Sequence, residues 1–439
     1  MQLKQNAGVP GLRAGLMAAT CALLAPASRA QAPVVAGESA GTQIDTGLMY
    51  YQEDKDRVRS FDAIVKLNRD FGDERVLGVT VAVDSLTGGS PNGAIAARVA
   101  QTFASPSGTS LQPGGGGGED DEGGQPYTVA AGMQPLYPDF HDLRGALDVN
   151  WSQPLGIGNK LALGGHFSHE YDFDSASANV GLSHDFNNKN TTLGLAVSAE
   201  FDQIKPVGDT PVPGSDYALQ RKTRGSETKQ VYGAQLGLTQ VLARNWITQL
   251  NLSVDKASGY LNDPYKILSR VNATGSVLGY QFESRPDSHT RRSVYLDNKV
   301  ALGRSVLDLS FRLGTDNWGI DSQTAEASYR IPLGGAMYIQ PQLRWYKQGA
   351  ADFYRLYLTS ADPTGSFMSA DPRVGAFTAK TLGVKIGIPM SNGDELGLRL
   401  AAYQQDPRQR GSSLPALAGL DLNPRLRAVV LQLDWRFSY

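Results

Sequence analysis

Leu143, Gly145, Leu147, Val149 and Trp151 take every second position of one stretch, with Arg144, Ala146, Asp148, Asn150 and Ser152 between them. The same period of two runs through Leu193, Leu195, Val197, Ala199 and Phe201, through Trp246, Thr248, Leu250, Leu252 and Val254, and through Leu396, Leu398, Leu400 and Ala402. The C-terminal stretch repeats it, with Val429, Leu431, Leu433, Trp435, Phe437 and Tyr439 set against Gln432, Asp434, Arg436 and Ser438. Side chains of an extended chain point alternately to two faces, so each stretch predicts a strand with one apolar and one wet face. Such strands are predicted near 46–55, 57–69, 74–86, 142–154, 159–171, 173–186, 190–204 and 227–242. Eight more follow near 245–258, 290–303, 304–317, 320–333, 336–348, 376–390, 393–405 and 425–439. That makes about sixteen, or fourteen if the first two are not strands, each close to the ~10 residues that a tilted membrane-spanning strand needs.

The connections are of two kinds. Short, turn-forming ones lie at Phe71-Gly72-Asp73, Gly156 to Asn159, Asn187-Asn188-Lys189, Ala243 to Asn245, Gly303-Arg304, Gly334-Gly335 and Ser391-Asn392-Gly393. Long polar ones occupy 87–141, 205–226, 259–289, 349–375 and 406–424. Tight turns at one end and long loops at the other are the pattern of a transmembrane antiparallel β-barrel, with short periplasmic turns and long extracellular loops. A soluble sandwich or propeller would need neither this one-sided division nor an aromatic strand at its end, and an open sheet of this size would have edges to protect. Trp151, Trp246, Trp345, Phe186, Phe201, Tyr329, Phe437 and Tyr439 fall near strand ends on the apolar faces, where interfacial girdles belong. The last strand is expected to face lipid and to carry the aromatic signal read by the outer-membrane barrel assembly machinery.

Composition narrows the reading further. Lys4 and Arg13 precede an apolar run from Gly15 to Leu24, and Ser28-Arg29-Ala30 supplies small residues before Gln31. This predicts a cleaved signal peptide over 1–30, a short periplasmic lead over 31–45 and a barrel over 46–439, exported to the outer membrane. The one cysteine, Cys21, lies within the leader, so a mature chain would have no thiol chemistry, disulfide or cysteine metal site. A formal charge of -2 gives no basic surplus for nucleic acid. No run beyond the leader approaches the ~20 apolar residues of a membrane helix.

Several pieces resemble an uncharacterised family of Gram-negative outer-membrane proteins, domain of unknown function 3570. They are Tyr50-Tyr51-Gln52-Glu53 with Asp56-Arg57-Val58, and Asp84-Ser85-Leu86-Thr87-Gly88-Gly89-Ser90-Pro91-Asn92-Gly93-Ala94. Asp316-Asn317-Trp318-Gly319-Ile320, Arg344-Trp345-Tyr346 and Ala351-Asp352-Phe353-Tyr354 complete the set. The resemblance implies a barrel and an outer-membrane address. The family's members resemble components encoded near flavin-transfer and thioredoxin-like proteins, which points to envelope redox work and a periplasmic redox or lipoprotein partner.

Candidate chemistry sits on the wet faces. Asp62, Lys66, Asp70, Glu74, Asp148, Glu170, Glu200, Asp255, Lys299, Asp308, Arg312, Glu326, Arg330, Arg344, Lys385, Arg399, Asp434 and Arg436 are expected to point into the lumen. Two readings stay open: charges that line a water-filled pore, and charges that pair across strands and close it. Asp84, Ser85 and Asn92 are expected at the outer rim, either in a loop folded in to constrict the pore or as plain turn chemistry, and Asp352, Phe353 and Tyr354 over the mouth as a plug or ligand platform. Gly114 to Gly118 with Glu119-Asp120-Asp121-Glu122 reads as a disordered surface loop, the alternative being carboxylates that bind Ca²⁺ or lipopolysaccharide counter-ions, although the spacing of a calcium loop is absent. His166-Phe167-Ser168-His169-Glu170 is the one cluster with nucleophile-and-base character. His166 and Ser168 share an inward face, so a hydrated lumen histidine is the default and a membrane-embedded hydrolase the remote alternative. No cofactor or metal site is indicated. The sequence therefore predicts a passive channel or porin for small solutes, with a structural or partner-binding envelope component as the alternative.

Overall fold

The computed structural model of the protein describes residues 40–55, 57–104, 126–223, 225–334, 337–363, 365–390 and 393–439; the leader and the Gly114 to Glu122 run lie outside them. The first strands are β1 (Gly41–Glu53), β2 (Arg59–Asp70), β3 (Val76–Pro91), β4 (Gln101–Ala104), β5 (Pro126–Val129), β6 (Leu136–Pro154), β7 (Asn159–His169) and β8 (Phe173–Phe186). They are followed by β9 (Thr191–Ile204), β10 (Thr210–Pro211), β11 (Lys222–Thr223), β12 (Glu227–Ala243), β13 (Trp246–Gly259), β14 (Ile267–Val271) and β15 (Val277–Phe282). The chain continues with β16 (Ser288–Leu302), β17 (Ser305–Asp316), β18 (Asp321–Pro332), β19 (Tyr338–Gln348), β20 (Phe377–Pro389), β21 (Glu395–Pro407) and β22 (Leu426–Ser438). Sixteen of these form one closed antiparallel barrel, in the order β1-β2-β3-β6-β7-β8-β9-β12-β13-β16-β17-β18-β19-β20-β21-β22. The remaining six form the loop hairpins β4-β5, β10-β11 and β14-β15.

The ring closes where the C-terminal strand meets the first, with Leu48 opposite Leu433 and Thr46 opposite Trp435. Tyr439 extends the seam through two backbone bonds with Thr42, of 2.8 and 2.9 Å. The alternation keeps its parity along the C-terminal strand. Val429, Leu431, Leu433 and Trp435 are all exposed on the outside, whereas Ala428, Val430 and Gln432 are buried on the inside. A closed ring pairs every backbone group internally, so an apolar exterior can face hydrocarbon. Aromatic side chains mark both borders of this belt. Phe71 packs on Trp151 (5.7 Å) and Trp435 on Phe437 (4.3 Å) at the turn end, and Phe201 meets Tyr232 edge-on (6.3 Å) toward the loop end.

The turns are built from residues that accept a left-handed backbone. In the β8-β9 turn Asn187, Asn188 and Lys189 all have positive φ (50°, 54° and 66°), a conformation asparagine tolerates better than most residues. Every connection at this end is short, and every long one lies at the other. Two boundaries differ from expectation. β1 begins at Gly41, because Gly41 to Asp45 already pair with Asp70 to Lys66, so part of the predicted lead belongs to the barrel. β3 runs on to Pro91 and β6 starts at Leu136, so both ends of the predicted 87–141 loop are wall, and Gln101–Ala104 pairs with Pro126–Val129 as a hairpin within it.

Leu431 lies mid-strand on the lipid face. Leu431→Arg is expected to destabilise the barrel by about 2–4 kcal/mol, the usual cost of a guanidinium near the bilayer midplane. Equilibrium guanidinium unfolding in phospholipid vesicles, followed by tryptophan fluorescence, measures it; an unchanged midpoint would contradict a lipid-facing position.

Candidate functional site: the lumen wall and the loop cap

The pairing register fixes what each arc of the inner wall presents. Asn68, Gly78, Asn150, Gly164, Asn179, Ser198, Gly233 and Asp255 are successive cross-strand partners from β2 to β13. The next inward row toward the turns, from β6 to β18, is Ser152, Ala162, Gly181, Ala196, Gln235, Ser253, Ser293, Gly314 and Ser322. The glycines act as niches: a Cβ on Gly233 would come within 2.6 Å of Ser198 Oγ and 2.9 Å of Asp255 Oδ1. Polar neighbours thus lie flat against the wall, and Asn150, Asn179, Ser198 and Gln235 remain exposed on the inside. The opposite arc is bulky, carrying Tyr338, Arg344 and Tyr346 on β19, Arg399 and Tyr403 on β21, and Met49 and Tyr51 on β1.

Most predicted lumen charges take their places on this wall, and many pair there. His166 Nδ1 lies 2.8 Å from Asp148 Oδ1, Arg330 reaches Glu395 at 3.4 Å and Arg344 reaches Glu326 at 3.8 Å. Lys385 meets Asp434 at 2.5 Å, Arg436 meets Asp45 at 2.7 Å and Lys299 meets Asp308 at 3.1 Å. Glu200 lies 3.9 Å from the Lys229 ammonium, which is held at 2.5 Å by Asp202. Lys66 stands between Asp45 and Thr80 in the register. Arg312 lies over the Tyr295 ring at 4.9 Å. Among the described residues, the buried Nε atoms of Arg312 and Arg399 have no hydrogen-bond acceptor.

Four predicted placements need correction. Because β3 continues to Pro91, Asp84 lies within the wall, where it faces Asp62 and is ion-paired with Arg144. Ser85, one residue on, points outward between Phe61 and Leu143, so the two do not share a rim site. Glu170 is buried in the short β7-β8 connection rather than on a strand, its N–H donating to the Phe173 carbonyl at 2.8 Å. Glu74 lies in the β2-β3 turn, bonded to Lys189 at 2.9 Å.

The long loops meet over the mouth. Sixteen strands about 4.8 Å apart and tilted by ~40° make a ring on the order of 30 Å across. β3 and β13 hold the third and ninth places in it, yet the Ile267 N–H, in the loop after β13, donates to the Asn92 carbonyl just beyond β3 at 2.9 Å. Asn92 Oδ1 caps the turn by accepting the Ala94 N–H (2.9 Å), and a Cβ on Gly93, where φ is +96°, would overlap the Ile267 carbonyl. Gly88 is needed for a similar reason, because its missing side chain leaves room for the Arg57 carbonyl of the β1-β2 loop.

Asp352, Phe353 and Tyr354 are part of the same cap. The Asp352 N–H donates to the Trp318 carbonyl (2.8 Å), Phe353 packs edge-on against Trp318 (5.1 Å), and Trp318 stacks on His289 (3.7 Å). The Tyr354 hydroxyl accepts from Asn423 at 3.2 Å, which ties in the β21-β22 loop. The motif segments from Ser90 to Ala94, Asp316 to Ile320 and Ala351 to Tyr354 therefore converge on one structure.

At the centre of the cap is a buried ionic network that no sequence spacing announces. Arg285 bonds Glu283 (2.8 Å) and Asp371 (2.7 Å), Arg373 bonds Asp263 (2.8 Å) and chelates Asp371, and the Ser369 hydroxyl donates to Glu283 (2.7 Å). The Lys266 ammonium donates to the Pro91 carbonyl. Burial alone would raise the Asp371 carboxyl, but the Arg373 and Arg285 guanidiniums more than offset it and hold the group far below the usual carboxylate range. Glu283 goes the other way, because its burial outweighs the attraction of Arg285.

Removing one partner of a buried network leaves uncompensated charge, so Asp371→Asn should loosen the cap by about 3–5 kcal/mol. Hydrogen exchange in 260–287 and 349–376 reads this, and wild-type rates in the variant would contradict the lock. The network also sets the pH response. The depressed Asp371 contribution is fully present above its ordinary pKa and is lost only far below it, while a raised Glu283 loses stabilisation as pH rises. Cap protection, corrected for intrinsic exchange rates, is therefore expected to be no weaker at pH 5 than at pH 7.

The ferric enterobactin receptor of Pseudomonas aeruginosa, as a double mutant, aligns with TM-score 0.40 and 12% identity over 84% of this chain and 53% of its own, so the chain spans about half of that receptor. A bacterial polysaccharide outer-membrane secretin gives 0.41 and 9% over 91% and 98%, and the Pseudomonas aeruginosa protein OccK2 gives 0.39 and 10% over 91% and 98%. No curated protein matches the chain. The family model described as protein of unknown function DUF3570 matches residues 13–437, nearly the whole length. This chain is a member of the DUF3570 family.

Proposed function

We propose that this barrel is a capped aqueous passage for small polar solutes across the outer membrane of a Gram-negative bacterium, with the turns in the periplasm and the cap outside. The observation that carries the reading is the pair of small-residue rows, Asn150 to Gly233 and Ser152 to Ser322, which keep half the inner wall thin and wet. A lumen meant only to be filled would place bulky side chains there, as the β19-β1 arc does. The cap makes the passage a controlled one, since the lock around Asp371 must relax for the mouth to widen. Lipopolysaccharide outside and the barrel assembly machinery during insertion are the partners this address implies.

A second reading, a structural or partner-binding envelope component, draws on the cap itself. Its apolar clusters, such as Leu268, Leu358, Met368 and Ala370, give it the core of a small folded unit.

Planar-bilayer recording of the refolded protein separates the two. The passage predicts discrete conductance steps, with Ser253→Tyr and Ser293→Tyr lowering the step by roughly half through narrowing of the wet arc, and Asp371→Asn lengthening the open time. A correctly folded barrel that stays silent with the Asp371→Asn cap would overturn the channel reading in favour of the second.

A further inference from the structure

The two arcs of the wall differ in charge as well as bulk. Asp148 sits six residues from the turn-end residue Pro154 of β6, and Arg344 six from Tyr338, the turn-end residue of β19. The two strands hold the fourth and thirteenth places of the sixteen, so the groups stand at similar depth on facing walls. Arg312, on the eleventh strand, lies at nearly the same depth, and Arg399 of the fifteenth stands eight places from the strand of Glu200.

On the thin arc, Asp148, Glu200, Asp202 and Asp255 outnumber the Lys229 ammonium and the Arg291 guanidinium, which lies 3.9 Å from Asp255, and the neutral amides of Asn150 and Asn179 lie beside them. On the bulky arc Arg344 has Glu326 beside it and Arg399 presents a guanidinium Nε atom that no acceptor in the described residues meets, as does Arg312 on β17, near the end of the small-residue row. A buried donor without a partner costs free energy unless something else supplies the acceptor. A carboxylate matches a guanidinium in charge and in planar geometry.

We infer that the passage favours zwitterionic solutes of amino-acid type, aligned across the lumen with the ammonium group toward Asp148 and Glu200 and the carboxylate toward Arg312 and Arg399. A neutral polyol meets the same wall without alignment. A simple anion or cation is attracted by one arc and repelled by the other, so weak ion selectivity accompanies the preference for dipoles. This inference rests on the channel reading and adds to it the chemical class of the solute.

The test is swelling of proteoliposomes containing the refolded barrel in isotonic L-threonine or erythritol, which are close in size but differ in charge. KCl conductance of the same preparation is the control. Threonine is expected to enter about three times faster, the factor for roughly one RT of alignment in a lumen whose potential varies by several RT. Arg399→Gln should bring the ratio toward one and Arg399→Lys should retain most of it, with heat-modifiable gel mobility confirming that both variants fold. Equal rates in a conducting wild-type barrel would overturn the zwitterion assignment alone. A ratio unmoved by Arg399→Gln would remove Arg399 from it, and absence of KCl conductance would overturn the channel reading beneath it.

Discussion

Everything in this molecule depends on one constraint: in hydrocarbon, each backbone N–H and C=O must find its partner within the protein. A sheet satisfies this only when it has no edge, so the pairing of β22 with β1 is the interaction on which the rest depends. The C-terminal strand closes the ring through its whole length, and Tyr439 carries the pairing to the last residue. Once the ring is closed, the period of two sorts every strand residue into a lipid or a lumen position. The wet face then becomes a wall with a definite register, and the register places small residues, acids and arginines on their separate arcs.

The same parity explains how much could be read from the chain alone. Strand alternation locates all sixteen barrel strands, because a lipid-facing side and a water-facing side impose opposite demands on adjacent residues. Asp62, Lys66, Asp148, Glu200, Arg312, Glu326, Arg330, Arg344 and Arg399 lie on the wall for this reason. Where the alternation ends a strand too early the expectation fails: it groups Asp84 and Ser85 as a rim, although neighbours on a strand must point to opposite faces. Of the cap, the sequence offers only Asp352, Phe353 and Tyr354 as residues over the mouth, and the rest is not legible. Its hairpins are short, and its partners, such as Arg285 with Asp371 or Asn92 with Ile267, come from segments whose meeting depends on barrel closure and leaves no local period.

The motif residues acquire a physical meaning from the cap. Gly88 and Gly93 are sites where another segment's carbonyl occupies the space of a side chain. Asp316 accepts the N–H groups of Trp318 and Ile320 at 2.9 and 2.8 Å, and so shapes the turn that offers Trp318 to both His289 and Phe353. Asn92 to Ala94, Asn317 to Ile320 and Ala351 to Tyr354 are thus used to fold loops onto one another, whereas Tyr50 to Glu53 and Arg344 to Tyr346 belong to the barrel strands β1 and β19.

The bond between Ile267 and Asn92 joins the surroundings of strands six places apart in the ring. Neither partner is near the other until the strands between them have been laid down and the seam has closed, so the cap is a late structure on the folding route. Contacts of such high sequence separation carry a loop-closure cost that is met only when the frame is already in place. Under that ordering the loops stay separate while the frame is being built, each a flexible length of chain, and gather over the mouth only at the end.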